Sequence, residues 1–88
     1  MKLELEKFGK MLISRPAGRE AWLAAKAYAL SSLPANENIE VDFSGVLVLT
    51  PSWADEFLTP LKNTYQQRVV FLPSSNPSVV KTLSVVFE

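Results

Sequence analysis

The stretch IEVDFSGVLVLTPSWADEFLTPL, from Ile39 to Leu61, holds a strand signal, a turn, a second apolar run and a helix start in one segment. Ile39, Val41 and Phe43 alternate with Glu40 and Asp42, the period of a strand with one face buried. Ser44-Gly45 punctuates the pattern as a turn or bulge, and Asp42 is placed to accept a backbone N–H there. Val46 to Leu49 is a continuous apolar run, as in buried sheet or in a segment leading into a core helix. Two helix starts fit the residues after Leu49. Either Thr50 is the N-cap with Pro51 at the first helical position, or Ser52 is the N-cap with Asp55 completing a weak capping box. Ala54, Phe57, Leu58, Leu61 and Tyr65 then form one apolar face. Pro60 interrupts that face and predicts a kink, or a restart with Thr59 as a new cap.

Outward from this segment, Leu3 and Leu5 alternate with Lys2, Glu4 and Glu6, which reads as a half-exposed edge strand. Gly9-Lys10 then turns the chain into a second strand, Met11 to Ser14, so a short N-terminal hairpin is expected. Pro16 suits a first helical position, and the alanine- and leucine-rich segment Ala17 to Leu33 continues as a helix up to Pro34. Its apolar stripe runs through Trp22, Ala25, Ala29 and Leu33. Val69 to Leu72 is a short buried strand and Pro73 to Pro77 a loop. Asn76-Pro77 repeats the cap-and-proline signal, so the chain should end in an amphipathic helix through Val79, Val80, Leu83, Val86 and Phe87. A terminal strand over LSVVF is the alternative. The expected fold class is α/β: a mixed sheet of about four strands with helices, in the order β-β-α-β-α-β-α, forming one domain over residues 1–88.

Composition removes several functions. The 88 residues carry nine basic and nine acidic side chains, which is no excess for a general nucleic-acid binder. There is no cysteine and no histidine. Thiol nucleophiles, disulfides, Cys/His metal sites and Ser-His-Asp catalysis are therefore outside the chain's reach. Apolar residues make up 48% of the chain but never form a run long enough for a membrane span. The N-terminal residues lack the apolar core of a signal peptide. A cytoplasmic, non-enzymatic protein without cofactors is expected.

VDFSGVLVLTPSWADEFLTPL resembles the central motif of the STAS-like domains of unknown function in bacteria and phages. Asp42-Phe43, Val46, Ser52, Trp53, Ala54, Asp55 and Glu56 carry the likeness, with Trp53 at a position more often phenylalanine. Ser14 and Arg15 resemble the family's Ser-Arg segment before its first helix. A more distant similarity is to the STAS domains of anti-sigma factor antagonists and sulfate-transporter tails. There Asp42-Phe43-Ser44-Gly45-Val46 matches the first half of the motif, and Ser52 falls where a partner kinase phosphorylates the antagonists. Thr50-Pro51 and Trp53 depart from that second half. The resemblance implies a STAS-like fold and a regulatory protein–protein interaction domain. It also implies Ser52 as a phosphoacceptor and a partner of the histidine-kinase-like ATPase type.

Each candidate residue has a plainer role beside the functional one. Ser52 is a phosphoacceptor or simply the helix cap. Arg15, Trp53, Asp55 and Glu56 are partner contacts. Alternatively Asp55 and Glu56 complement the helix dipole and Trp53 is core; Arg15 and Arg19 hold an anion or pair with Asp55, a solvated ion pair being the plainer reading. A second function is a small-ligand site for a nucleotide or anion, built from the helix starts at Thr50–Ser52 and at Ser74, Ser75 and Asn76. Ordinary turn chemistry is its plainer counterpart.

Overall fold

The computed structural model describes residues 1–88 as five short strands and three helices. The strands are β1 (Lys2–Glu4), β2 (Met11–Leu12), β3 (Ile39–Asp42), β4 (Val48–Leu49) and β5 (Val69–Phe71). The helices are α1 (Arg15–Ala24), α2 (Pro51–Tyr65) and α3 (Pro77–Phe87). The order is therefore β-β-α-β-β-α-β-α, one strand more than the spacing predicts.

Every strand pairing is parallel, and the expected N-terminal hairpin does not form. β1 lies beside β3, with Leu3 opposite Val41, and β3 lies beside β5, with Val41 opposite Phe71. β2 instead pairs with β4, with Leu12 opposite Leu49. A hairpin would need Gly9-Lys10 to reverse the chain. Residues Leu5–Phe8 wind into a 3-10 turn instead, bury Leu5 and let the chain continue in the same direction. The two sheets are thus successive stretches of one parallel ribbon, β1–turn–β2 running alongside β3–turn–β4. Six residues (5–10) separate β1 from β2 against five (43–47) between β3 and β4, so the register slips by one.

Alternation places Leu3, Ile39, Val41 and Val69 in the core and leaves Lys2, Glu4, Glu40 and Val70 exposed. One face of the three-stranded sheet is therefore open, although parallel sheets are usually covered on both. β1, with its charged outward face, is an edge strand as its alternation implies.

The helix predicted over Ala17 to Leu33 is shorter and has two parts. α1 is regular to Ala24, and a π turn follows over Ala25–Ala29. Ser14 is its cap, accepting the Ala17 N–H at 3.2 Å, with Pro16 in the first turn. α2 runs unbroken through Pro60, so Thr59 does not restart it. Thr59 instead donates its hydroxyl to Asp55, and Thr64 donates to the Pro60 carbonyl. α2 supplies the centre of the core with Trp53, Ala54, Phe57, Leu58 and Leu61, all at or near zero exposure. The C-terminal residues are the helix α3, not a strand.

α1 crosses the start of α2 at Gly18. A Cβ at Gly18 would lie 2.6 Å from the Trp53 carbonyl oxygen, so no side chain fits there. α3 packs beside β4, in the direction where β5 would continue if it were longer. Two of its side chains, and that of Asn76 before it, bond the free edge of that strand and of the residues leading into it. Ser78 Oγ accepts the Leu49 N–H at 2.9 Å and donates to the Leu49 carbonyl at 3.0 Å. Thr82 donates to the same carbonyl at 2.6 Å, and Asn76 Nδ2 reaches the Val46 and Leu47 carbonyls. These side chains act as a third strand, which satisfies backbone groups that burial would otherwise leave unpaired.

Candidate functional site

Of the two helix starts open in the sequence, the structure takes the first. Thr50 has extended backbone and accepts the Trp53 N–H at 3.3 Å, with Pro51 as the first helical residue. Its hydroxyl also donates to the Ile13 carbonyl, which ties β2 to the start of α2. Ser52 is the second helical residue. It is half-buried, and its hydroxyl has no hydrogen-bond partner within the protein. The capping role is therefore Thr50's, not Ser52's.

Trp53 is 1% exposed and stacks on Phe57 with ring centroids 4.8 Å apart. Phe8 closes the cluster from the turn after β1. A buried aromatic stack is core, so Trp53 is not a surface contact for a partner.

Asp55 and Glu56 point differently around a helix, yet both reach one atom of α1. Arg15 Nη1 donates to Asp55 Oδ2 at 2.8 Å and to Glu56 Oε2 at 2.9 Å. The cluster is at the surface, with side-chain exposures of 53% for Arg15, 48% for Asp55 and 24% for Glu56. Arg19 joins no ion pair. The Arg15 guanidinium holds the Asp55 carboxyl below its ordinary range, chiefly through the hydrogen bond. The same bonds to Asp55 and then Glu56 raise the Arg15 value, so the guanidinium stays charged. Ser52, Asp55 and Glu56 are spaced three and four apart and share one side of α2. The structure thus brings together Arg15, Asp55 and Glu56, with Ser52 one turn earlier on the same side of α2.

The other candidates form a separate place. Ser74, Ser75 and Asn76 line a polar cavity of about 380 Å³ with Phe43, Ser44, Gly45, Val46 and Pro73. It lies where β3 and β5 end, the side on which parallel sheets usually bind ligands. Thr50 is not part of its lining, so the two helix starts do not share one site. Asn76 caps α3 by accepting the Ser78 N–H at 2.8 Å, and Ser74 accepts the Asn76 N–H.

The opposite wall of the cavity is the Ser44-Gly45 turn. Asp42 accepts the Ser44 N–H at 3.0 Å, which lowers the Asp42 carboxyl below its ordinary range, with a smaller contribution from Lys2. Gly45 has φ +84, and a Cβ there would collide with the Glu6 carboxylate. Two carboxylates therefore flank this turn, which works against an anionic ligand. No group of three His, Cys, Asp or Glu is placed to hold a metal ion.

Three residues that position these sites do not stand out in the sequence. Gly18 sits inside a helical pattern, where a glycine usually signals only weakness, and its reason lies on α2. Ser78 and Thr82 look like polar positions of an amphipathic helix, and their partner Leu49 is about thirty residues away. Only Gly18 carries a usable signal, since an isolated helical glycine often marks a close approach.

An α/β arrangement with three helices and small parallel sheets is consistent with a STAS-like domain. The family model for the STAS-like domain of unknown function (DUF4325) matches residues 26–78, and the chain belongs to that family. The matched segment holds Ser52, Asp55, Glu56 and the polar cavity, while Arg15 lies before it. No curated protein and no solved structure matches the chain. No helix is long and apolar enough to cross a membrane.

Proposed function

We propose that this chain is a regulatory, non-enzymatic protein–protein interaction domain similar in role to the anti-sigma factor antagonists. Its contact surface is the start of α2. The observation that carries the reading is the free hydroxyl of Ser52, set beside the exposed Arg15–Asp55–Glu56 cluster in a chain of the STAS-like family. A serine left out of capping is available to a kinase, and a phosphate there changes the charge of the surface by about −1.5 to −2. The partner is a cytoplasmic ATPase of the histidine-kinase-like type.

The test is incubation of the purified chain with such a kinase from the same host and ATP, followed by peptide mass spectrometry. Phosphate mapped to Ser52, and altered kinase binding by Ser52→Asp, is the expected result. A chain that stays unmodified and binds no such ATPase overturns the phospho-switch.

A second reading is favoured by the polar cavity itself: a small-ligand site using Ser44, Ser74, Ser75 and Asn76. With Asp42 and Glu6 flanking its turn, a neutral, hydroxyl-rich ligand fits better than a nucleotide or free anion. A ligand at about a hundred times its dissociation constant stabilises by ~2.7 kcal/mol, so a thermal-shift screen over polyols and nucleotides decides it.

A further inference from the structure

We infer that Arg15 is the residue that answers a phosphate on Ser52, leaving its pairing with Asp55 and Glu56 and so freeing both carboxylates at the surface. This rests on the phospho-switch reading and adds its mechanism.

Arg15 is close enough by construction. The residues on either side of it are tied to the start of α2: Ile13 accepts the Thr50 hydroxyl, and Gly18 lies against the Trp53 carbonyl. Arg15 already reaches Asp55 and Glu56. Ser52 is three residues before Asp55 on the same side of α2, about 4.5 Å along the axis at 1.5 Å per residue. A small rotation of a long, exposed side chain covers that distance.

The present pairing also leaves Arg15 underused. Both carboxylates are bonded through the single nitrogen Nη1. The planar fork made by Nη2 and Nε is left without a protein partner, and that fork matches phosphate oxygens in a bidentate way. A phosphate monoester offers three acceptor oxygens and about twice the charge of either carboxylate.

The covalent step balances as an ordinary phosphoryl transfer. The γ-phosphoryl group of a nucleoside triphosphate passes to Ser52 Oγ. The β–γ P–O bond breaks, the Oγ–P bond forms, the hydroxyl proton leaves to a base of the kinase, and a nucleoside diphosphate departs. The cluster now carries one net negative charge. With the phosphate it carries about three. The two freed carboxylates join the phosphate in one acidic face. A partner that docks on the mixed-charge surface of the unmodified chain meets a different surface afterwards.

The experiment installs phosphoserine at position 52 during translation, in the full chain, with and without Arg15→Gln. Phosphorus NMR reads the second ionisation of the phosphate, and carboxyl carbon NMR reads Asp55. Arg15 is an exposed side chain, and an unchanged unfolding midpoint confirms that both proteins are folded. The expected result is a lower phosphate midpoint with Arg15 present than with Arg15→Gln, and an Asp55 midpoint that rises more on phosphorylation when Arg15 is present, because the loss of the guanidinium adds to the repulsion that the phosphate exerts in both proteins. Equal phosphate midpoints in the two proteins, or an Asp55 midpoint raised by the same amount with and without Arg15, overturn the inference. The phosphate is installed rather than added by a kinase. A host that lacks the kinase therefore sinks the phospho-switch and leaves this result standing.

Discussion

α2 and α3 begin with the same local grammar: Thr50-Pro51-Ser52 and Asn76-Pro77-Ser78, each a cap, a proline and a serine. The first residue caps in both cases, and the proline occupies the first helical position in both. The serines differ. Ser78 uses its hydroxyl twice on Leu49, once as acceptor and once as donor. The Ser52 hydroxyl bonds nothing within the protein. The two starts are also anchored differently. α3 is held to β4 by hydrogen bonds from Asn76, Ser78 and Thr82, whereas α2 is held to α1 by the close backbone approach at Gly18 and by the Arg15 clamp. Matching tripeptide patterns thus yield one structural serine and one available serine. What separates them is what tertiary packing brings opposite, not the local sequence.

The largest test of this difference is at Gly18. In an exposed helix, glycine to alanine gains up to about 1 kcal/mol in propensity. At Gly18 the added Cβ meets backbone of α2 at 2.6 Å, and backbone cannot move aside as a flexible side chain can. Gly18→Val should therefore destabilise by about 1–3 kcal/mol, in the range for overpacking, and Gly18→Ala should lose stability despite its propensity gain. At about 4–8 °C per kcal/mol for a domain of this size, thermal unfolding reads the change directly. An alanine variant more stable than the parent would show that packing does not anchor α2.

The paired serines come next. Ser78→Ala leaves the part-buried Leu49 N–H without its partner, which costs about 1–3 kcal/mol. Thr82 still covers the Leu49 carbonyl, so the loss is concentrated on the donor. Ser52→Ala removes a hydroxyl that bonds nothing in the protein, and stability should stay within about 0.5 kcal/mol. Denaturant midpoints of the two variants, measured side by side, check the contrast. Equal losses would mean that Ser52 holds structure after all.

These contrasts also show what was legible in the chain. Ile39, Val41 and Phe43 announce a strand by alternation, and they are buried as their period requires. Pro16, Pro51 and Pro77 mark three helix starts, because a proline at the first turn needs no long-range partner to make sense. The hairpin failed for the opposite reason. Gly9-Lys10 is a sound local turn signal, but burial of Leu5 and packing of Phe8 on Trp53 and Phe57 keep the chain running forward, so β1 and β2 each find parallel partners far along the sequence. The assumption of a mixed sheet fell with the hairpin. At Pro60 the restart does not occur, since core packing of Phe57, Leu58 and Leu61 holds α2 as one helix through a residue that disfavours it. At the site, Asp55 and Glu56 are on the surface side of α2 as charged residues should be, but their convergence on Arg15 depends on how α1 crosses. Trp53 was readable as core or contact from composition, and only the position of Phe8 and Phe57 decides it.

The smallest effect separates the two helix starts by acid. The anchor of α3 consists of an amide and two hydroxyls and holds no titratable group. The clamp of α2 does titrate. Asp55 is held below the ordinary aspartate value of about 3.9 by the Arg15 hydrogen bond. A depressed folded value means that the carboxylate contributes stability above the unfolded value and loses it as pH falls through the folded one. Arg15→Gln should therefore return the Asp55 midpoint toward about 3.9, as read by carboxyl carbon NMR. Asp42 should not move in that variant, because its low value comes first from the Ser44 backbone N–H, which Arg15 does not touch. Solvent exposure screens the pair, so the change in unfolding midpoint should be slight at neutral pH and vanish once Asp55 is protonated in both proteins. An Asp55 midpoint indifferent to Arg15 would reduce the clamp to a passing surface contact, and the start of α2 would then rest on Gly18 and Thr50 alone.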